Sequence, residues 1–241
     1  MAVLISMQKV FLNGDFIDKD SAKISIFDRG FIFGDGIYEV VPVINGVMVE
    51  KQGFWDRFKR SLNEIDLSLP YSKDEFENIL NELIKINSLN EGGIYIQITR
   101  GIAQRDFSFV SGITPTVMAF AFSDSVLEHP GAKSGITIIS TPDIRWKRRD
   151  IKSISLLGQC YAKNQATIAG ADECFMVEDG YVTEAGSSSA FIIKDGALIT
   201  KPLSNEILPG IRRQRLLNLA KEIGLKIEER KFSMYEVYNA D

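Results

Sequence analysis

The stretch Asp143–Gly158, DIRWKRRDIKSISLLG, organises the interpretation of this chain because it changes abruptly from charged to apolar residues. It contains five cations and two carboxylates, and Lys152 lies where the character changes. The apolar neighbours of this lysine are Ile151, Ile154, Leu156 and Leu157. A lysine that loses hydration gives up its proton more readily, and only a neutral amine attacks a carbonyl. The pattern makes Lys152 a candidate Schiff-base lysine; the alternative is a surface lysine whose stem covers apolar neighbours.

Composition narrows the classes of function. A length of 241 residues allows one large domain or two ordinary ones. A net charge of −4 argues against nucleic acid or an anionic membrane as the main partner. The apolar run at the N-terminus is too short for a signal peptide, and nothing approaches the ~20 apolar residues of a membrane span. The sequence therefore predicts a cytoplasmic protein.

Histidine and cysteine usage limits the chemistry further. The single histidine, His129, falls in a predicted loop, which leaves little room for a serine-type triad or a histidine-rich metal site. No metal is expected, and an acid–base group, if the protein is an enzyme, is expected not to be histidine. Cys160 and Cys174 fall inside predicted regular elements, so we expect buried free thiols rather than a disulfide.

Periodicity and turn residues predict a mixed α/β (α+β) chain in two units. Asn13-Gly14 and Asn45-Gly46 predict hairpin turns, and Ser72 to Glu75 has the spacing of a capping box before a helix. A segment carrying Pro130 and Gly131 reads as a linker. We expect an N-terminal domain at residues 1–122, a linker at 123–134 and a C-terminal domain at 135–241. A capping-box pattern at Ser233 so near the end suggests that residues are missing beyond Asp241.

Two candidate features lie in the first unit. Gly34 and Gly36 let the backbone bend tightly before a predicted strand, and Tyr38 lies at the start of that strand. An ordinary glycine-rich turn is the alternative explanation of these residues. Arg57 falls on or near the apolar side of the first long helix, where an unpaired guanidinium is costly. An anion such as phosphate would relieve that cost, and a snorkelling arginine is an equal alternative.

Two further features lie in the second unit. The run Thr183–Phe191, TEAGSSSAF, places Glu184 and three serines in a predicted polar loop whose N–H groups and hydroxyls suit an anion; a flexible turn is the alternative. Leu208–Ile211, LPGI, predicts the start of a helix, and helix N-termini bind phosphate; a plain proline-marked helix start is the commoner case.

Short motifs occur along the chain in a fixed order: DRG at 28–30, FGDG at 33–36, YE at 38–39, DR at 56–57, TRG at 99–101, DIKS at 150–153, TE at 183–184, GSSS at 186–189 and PGI at 209–211. As an ordered set they resemble the fold-type IV pyridoxal-phosphate enzymes, which include the D-amino-acid and branched-chain aminotransferases and aminodeoxychorismate lyase. The resemblance runs from about Phe11 to Asp241 and is closest to the D-amino-acid branch. It implies a two-domain fold with a small N-terminal α/β domain and a larger C-terminal mixed β/α domain.

The resemblance also implies roles for particular residues. Lys152 would form the Schiff base with pyridoxal 5′-phosphate, and Glu184 would pair with the pyridine nitrogen. Tyr38 would face the substrate, and Arg105 would bind the substrate α-carboxylate; Arg100 is the alternative for this role. The loop after Thr99 would reach into the active site of a second subunit, which implies a homodimer. The cofactor phosphate would be held by Arg57, Ser188 and the N–H groups of Ile211 and Arg212.

Three departures from the family pattern stand out. Phe107 occupies the position where the D-amino-acid branch usually has a histidine, so one donor to the substrate carboxylate is lost. Arg212 stands where a threonine is usual, which would rearrange the phosphate cup or strengthen it with a cation. The last strands of the family fold have no counterpart after Asp241.

The leading hypothesis is a transaminase that moves an amino group between an amino acid, with D-alanine favoured, and a 2-oxo acid such as 2-oxoglutarate. Aminodeoxychorismate lyase and branched-chain aminotransferase are alternatives within the family. A non-enzyme alternative is an anion-binding or interaction protein that uses a basic patch formed by Arg145, Lys147, Arg148 and Arg149.

Overall fold

A computed structural model of the protein describes residues 9–128 and 131–241. These residues form two compact units, one of residues 9–128 with Lys152–Ile154 and one of residues 131–151 with 155–241. His129 and the middle of the predicted linker lie outside the described residues, as does the N-terminal apolar run. The predicted domain boundaries stay a prediction.

The first unit is built on one antiparallel sheet of six strands in the order β2-β1-β6-β5-β3-β4. Both predicted Asn-Gly hairpins are present: Asn13, Gly14, Asn45 and Gly46 all have positive φ, which this turn type requires. The strands are β1 Lys9–Leu12, β2 Asp15–Asp18, β3 Gly36–Ile44, β4 Val47–Met48, β5 Gly92–Thr99 and β6 Thr116–Ser123. The helices are α1 Arg29–Phe33, α2 Lys51–Glu64 and α3 Lys73–Ile86, with a 3-10 turn at Lys19–Ser21.

The two faces of this sheet differ. Alternation along β3 buries Ile37, Glu39, Val41 and Val43 on the face that α2 covers. The opposite face is half-buried and carries a row of stacked rings, Tyr38, Tyr95 and Phe120, with centroids 5.6 and 4.9 Å apart. The predicted capping box of α3 is confirmed: Ser72 Oγ accepts from Glu75 N, and Glu75 Oε2 accepts from Ser72 N.

The second unit contains two three-stranded sheets, ordered β7-β8-β9 and β10-β11-β12. In each sheet one parallel pair is joined through a helix, β7-α5-β8 and β11-α6-β12, and one antiparallel pair is joined by an Asp-Gly turn. The strands are β7 Ile138–Pro142, β8 Glu173–Glu178, β9 Tyr181–Ala185, β10 Phe191–Lys194, β11 Ala197–Thr200 and β12 Lys226–Glu229. The helices are α4 Gly131–Ser134, α5 Leu157–Ile168, α6 Ile211–Glu222 and α7 Met234–Tyr238.

Four sequence interpretations need correction. Thr183 and Glu184 lie in strand β9 and are buried, because their segment completes a hairpin with β8, rather than in a polar loop. Cys160 is exposed on α5, whereas Cys174 is buried as expected; both are free thiols. Leu157 is 84% exposed and therefore does not help to desolvate Lys152. The short helix α1, capped by Asp28, was not predicted because five residues are too few to show a helical period.

Among residues 9–128 and 131–241, none of the helices has the length and apolar character that a membrane span requires.

Candidate active site

The backbone of Lys152 is fastened to the start of β3. Tyr38 N donates to the carbonyl of Lys152 (2.9 Å), and Ile154 N donates to the carbonyl of Gly36 (3.1 Å). Ile37 and Ser153 form an antiparallel bridge between these two bonds. The segment therefore acts as a short extra strand, which places the side chain of Lys152 beside that of Tyr38.

The Lys152 side chain rests on an aromatic ring. Its Nζ lies 4.1 Å from the centroid of the half-buried Tyr38 ring. The sequence predicted an aliphatic environment, whereas the structure places Nζ over the π face of a tyrosine. Such a face attracts a cation and also keeps part of the surrounding water away from the amine. The structure thus places Lys152 beside Tyr38, the residues that the sequence analysis made candidates for binding the cofactor aldehyde and for facing the substrate.

Gly36 permits this arrangement. A Cβ at this position would lie 2.5 Å from the carbonyl oxygen of Ile98, 3.0 Å from Thr99 Cα and 3.1 Å from Ile154 Cδ1. The requirement is steric rather than conformational, since the backbone here needs no positive φ. Any larger residue would push β3 away from β5 or from the Lys152 segment.

Arg57 has a protein counter-charge that the sequence analysis did not assign. Arg57 Nε and Nη2 each lie 2.7 Å from the Glu39 carboxylate, in a forked pair whose glutamate is fully buried. Arg57 therefore does not depend on a bound anion to relieve its burial. The sequence signal for this ion pair was Glu39, a charged residue at a position of β3 whose side chain points inward. One helical turn after Arg57, Ser61 Oγ accepts the N–H of Lys152 at 3.2 Å, so α2 also supports the lysine.

The structure separates the two arginines that were candidates for gripping the substrate. Arg100 is buried, with its Nε 2.8 Å from Asp35 Oδ2 and its Nη atoms donating to the carbonyls of Ile65 and Asp66. Arg105 is exposed, and its guanidinium lies 5.7 Å from the ring of Phe33 and 5.1 Å from that of Phe107. Arg105 is consequently the arginine that can turn toward a ligand.

In the second unit, Glu184 is held by two donors. Arg145 Nη1 lies 2.6 Å from Glu184 Oε2, and Leu208 N donates to Oε1 at 2.9 Å. Burial raises the pKa of Glu184 above its ordinary value, against the lowering effect of the Arg145 charge. Asp143 holds Arg145 from the other side, with Nη2 to Oδ2 at 2.8 Å, and accepts the Thr183 hydroxyl at 2.6 Å. The result is a buried carboxylate in one fixed orientation.

The predicted basic patch is not a surface patch. Arg145 and Arg149 are buried, and Arg149 Nη1 lies 2.6 Å from Glu178 and 3.3 Å from Asp143. Arg148 pairs with Asp150, and Lys147 pairs with Glu178. The carboxylates that neutralise this run come partly from strands far along the chain, so the sequence alone could not reveal them.

The serine-rich segment and the start of α6 lie together. A turn closes where Ala185 N donates to the carbonyl of Ser188 at 2.8 Å. A Cβ on Gly210 would lie 2.8 Å from Ser189 Oγ, so glycine allows the serine hydroxyl to approach the start of the helix closely. No side chain in the described residues caps α6, whose first residues are Ile211 and the exposed Arg212. Backbone N–H groups and hydroxyls in this arrangement suit a phosphate.

The two units carry different features. A half-buried lysine beside a tyrosine lies in the first unit; a buried carboxylate in a fixed orientation, and a serine turn beside a helix start, lie in the second. Such a lysine suits a carbonyl group, and such a helix start suits a phosphate. Residues 36–241 match the family described as amino-transferase class IV, and the chain belongs to that family.

Known proteins resemble this chain over nearly its whole length. The D-alanine aminotransferase of Staphylococcus haemolyticus is 42% identical over 236 residues, which are 98% of this chain and 83% of that protein. The branched-chain amino acid aminotransferase of Escherichia coli has a TM-score of 0.87 at 22% identity, over 97% of this chain and 80% of that one. The branched-chain aminotransferase of the thermophilic archaeon Thermoproteus uzoniensis, with norvaline, has a TM-score of 0.83 at 26% identity, over 97% of this chain and 81% of that one.

The protein is a pyridoxal-phosphate-dependent aminotransferase, as the sequence analysis predicted. The residues present fit that cofactor: the lysine suits its aldehyde, the buried carboxylate suits its ring nitrogen, and the serine turn beside the start of α6 suits its phosphate. Lys152, Tyr38, Arg57 and Arg105 belong to the first unit. Glu184, Ser188, Ile211 and Arg212 belong to the second.

Proposed function

We propose that this enzyme transfers the amino group of a D-amino acid, D-alanine foremost, to a 2-oxo acid such as 2-oxoglutarate. The contact of Lys152 Nζ with the Tyr38 ring carries the proposal, because it places a lysine amine against an aromatic ring near the start of β3. The identity of 42% with a D-alanine aminotransferase supports the choice of substrate. A cytoplasmic location remains a prediction from the sequence.

Lys152 is the proposed catalytic residue. When bound, the cofactor supplies an electron-withdrawing ring that accepts electron density from the substrate Cα. Lys152 would hold the cofactor between turnovers and, as a free amine, would move the proton from the substrate Cα to C4′ of the cofactor. The Tyr38 ring stabilises the ammonium form that the lysine passes through. The hydrogen bonds of the Lys152 backbone to Tyr38 and Ser61 keep the amine from swinging away.

Glu184 is proposed to keep a proton on the cofactor ring nitrogen. A carboxylate performs this role best when it is ionised yet has a pKa high enough to form a strong bond to a pyridinium. Burial raises the pKa of Glu184, and the charge of Arg145 opposes that rise. We therefore add Arg145 as a positioning residue that the sequence analysis did not assign.

The phosphate is proposed to be bound by Arg57, by Ser188 and by the N–H groups of Ile211 and Arg212. Glu39 fixes the plane of the Arg57 guanidinium through two of its five N–H donors. The serine turn and the uncapped start of α6 supply neutral donors and a helix dipole. Arg212 adds a cation at a helix start where cations are otherwise unfavourable, and an anion would relieve that repulsion.

The substrate carboxylate is proposed to be bound by Tyr38 and Arg105. Arg105 is held between two rings but stays exposed. We also propose a homodimer in which the loop carrying Arg105 serves a second subunit. Its support is a group of exposed apolar side chains in the first unit that water would otherwise cover: Ile26, Phe27, Phe31, Ile102, Phe107 and Phe109.

An absorbance spectrum with pyridoxal phosphate, before and after borohydride, tests the role of Lys152. A band near ~400 nm that borohydride fixes is expected in the wild type and in Lys147→Ala, and is expected to be lost in Lys152→Ala. Lys147 is the matched control because it is an exposed lysine of the same stretch. Retention of the reducible band in Lys152→Ala would refute the assignment. Adding D- or L-alanine in turn identifies the enantiomer that changes the spectrum.

One observation favours a second candidate, the aminodeoxychorismate lyase of the same family. Phe107 packs its ring 5.5 Å from that of Phe33 and offers no donor where the D-amino-acid branch has a histidine. Release of 4-aminobenzoate from aminodeoxychorismate, with no activity toward D-alanine and 2-oxoglutarate, would replace the transaminase proposal with the lyase. The branched-chain alternative predicts turnover of L-leucine instead.

A further inference from the structure

A buried carboxylate outside the proposed machinery joins two arginines. Asp35 Oδ2 accepts from Arg29 Nε at 2.7 Å and from Arg100 Nε at 2.8 Å. All three side chains are at most 7% exposed. One carboxylate atom shared by two buried guanidinium groups fixes the orientation of both, because neither arginine can leave without a large desolvation cost to the other charges.

Both arginines reach the loop that follows β5. Arg29 Nη1 donates to the carbonyl of Asp106 at 2.5 Å, and the Arg100 guanidinium stacks 3.8 Å from the centroid of Phe109. The base of the loop is held by Arg29 N, which donates to the carbonyl of Gly101 at 2.9 Å. The far part of this loop is thus held at Asp106 and Phe109 by the side chains of the two arginines that Asp35 orients. Its beginning is held by backbone hydrogen bonds at Gly101 and Ala103, the second of them from Ala103 N to the carbonyl of Phe27 at 3.3 Å.

Along the chain, Arg105 lies between the hydrogen bond at Ala103 and the hydrogen bond at Asp106. Its neighbour Asp106 supplies the carbonyl that Arg29 binds, and its guanidinium lies 5.7 Å from Phe33, over which Arg29 is also placed at 4.8 Å. An exposed arginine on an otherwise mobile loop would lose side-chain and backbone entropy on binding a carboxylate. A clamp that orders the loop beforehand removes part of that cost.

We propose that Asp35 is a positioning residue for substrate binding: through Arg29 and Arg100 it orders the loop that presents Arg105. The inference rests on the proposed role of Arg105 in binding the substrate α-carboxylate. It assigns a specific task to a residue that the sequence placed only in a tight turn. Asp35 touches neither the substrate nor the cofactor in this proposal; it acts through Arg105.

Steady-state kinetics of Asp35→Asn test the proposal. We expect KM for the amino acid to rise about tenfold while kcat stays within about twofold, because the loss falls on substrate binding and not on the proton transfer. Glu77→Gln is the matched control: Glu77 accepts from Trp55 Nε1 at 2.7 Å in the same unit but is remote in sequence and contact from the loop. An unchanged KM in Asp35→Asn, or an equal rise in Glu77→Gln, overturns the proposal.

A double-mutant cycle with Arg105→Ala separates this inference from the proposed function. Asp35→Asn is expected to raise KM in the wild type and to have no further effect when Arg105 is alanine. If Asp35→Asn raises KM equally in both backgrounds, Asp35 does not act through Arg105 and the inference fails. If Arg105→Ala alone leaves KM unchanged, the proposed role of Arg105 fails, and the inference fails with it for a distinguishable reason.

Two further measurements cover the case in which Asp35→Asn does not fold. Phe109→Ala removes the ring on which Arg100 stacks and leaves the buried ion pairs intact, and it is expected to raise KM severalfold by the same route. Because Phe109 is also one of the exposed residues that support the proposed dimer, KM is measured at a protein concentration at which light scattering gives the wild-type mass. Amide hydrogen exchange across residues 102–111 is expected to accelerate in Phe109→Ala and Asp35→Asn but not in Glu77→Gln. Unchanged exchange and unchanged KM in Phe109→Ala contradict the proposal.

Discussion

Arg145 lies between Asp143 and Glu184. Its charge lowers the pKa of Glu184 and so opposes burial, which raises that pKa. In Arg145→Met the pKa of Glu184 should rise further, so that less of the carboxylate is ionised at neutral pH. We expect kcat to fall by about 10²-fold and the acid limb of the kcat–pH profile to move to higher pH. Lys147→Met, in the same stretch, serves as the control. A profile that keeps its acid limb would show that Arg145 does not act on Glu184.

Glu178 makes a pH-dependent contribution to stability. Hydrogen bonds from Arg149 and Lys147 lower the pKa of Glu178 from 4.5 to about 2. The unfolded chain therefore binds more protons in this range, and the stabilisation is present above pH 4.5 and lost as the pH falls toward 2. We expect Glu178→Gln to melt below the wild type at pH 7, with the difference shrinking as the pH is lowered through this window. A difference in Tm that is constant with pH would contradict the linkage.

At the scale of elements, the pairing of β3 with β5 and with the Lys152 segment depends on Gly36. In Gly36→Ala the new Cβ would meet the Ile98 carbonyl at 2.5 Å, and backbone atoms cannot move aside as a side chain can. We expect the free energy of unfolding to fall by about 1–3 kcal/mol, and cofactor affinity to fall as Lys152 is displaced. Chemical denaturation and cofactor titration measure the two effects. Wild-type values for both would mean that β3 and β5 separate freely at this point.

The elements also show why some predictions held and others failed. The Asn-Gly hairpins and both capping boxes were predictable because a turn or a cap involves residues within three positions of each other. Strand β9 was mistaken for a polar loop because Thr183 and Glu184 are polar yet buried. Their partners, Asp143 and Arg145, lie about forty residues earlier, beyond any local pattern.

At the scale of the whole molecule, the proposed homodimer follows from exposed apolar residues of the first unit. Phe31 is 76% exposed and is one of the six exposed apolar residues of the first unit on which the dimer proposal rests. We expect Phe31→Asp to shift the mass measured by light scattering from dimer toward monomer and to reduce activity in parallel. Ile223→Asp, at a residue 78% exposed in the second unit, is the control and should stay dimeric. A Phe31→Asp protein that remains dimeric would place the interface elsewhere.

The family, the fold class and the candidate roles of Lys152, Tyr38 and Glu184 could be predicted from the amino-acid sequence, because they depend on the order and spacing of short motifs. The sequence also determined the hairpins and caps, whose physics is local. The pairing of Glu39 with Arg57, and that of Arg145 with Glu184, became visible only in the folded chain. Only the structure shows Arg100 buried on Asp35 and Arg105 exposed. The reason is that a buried charge takes its partner from whichever strand or helix the fold brings close, and sequence distance carries no record of that choice.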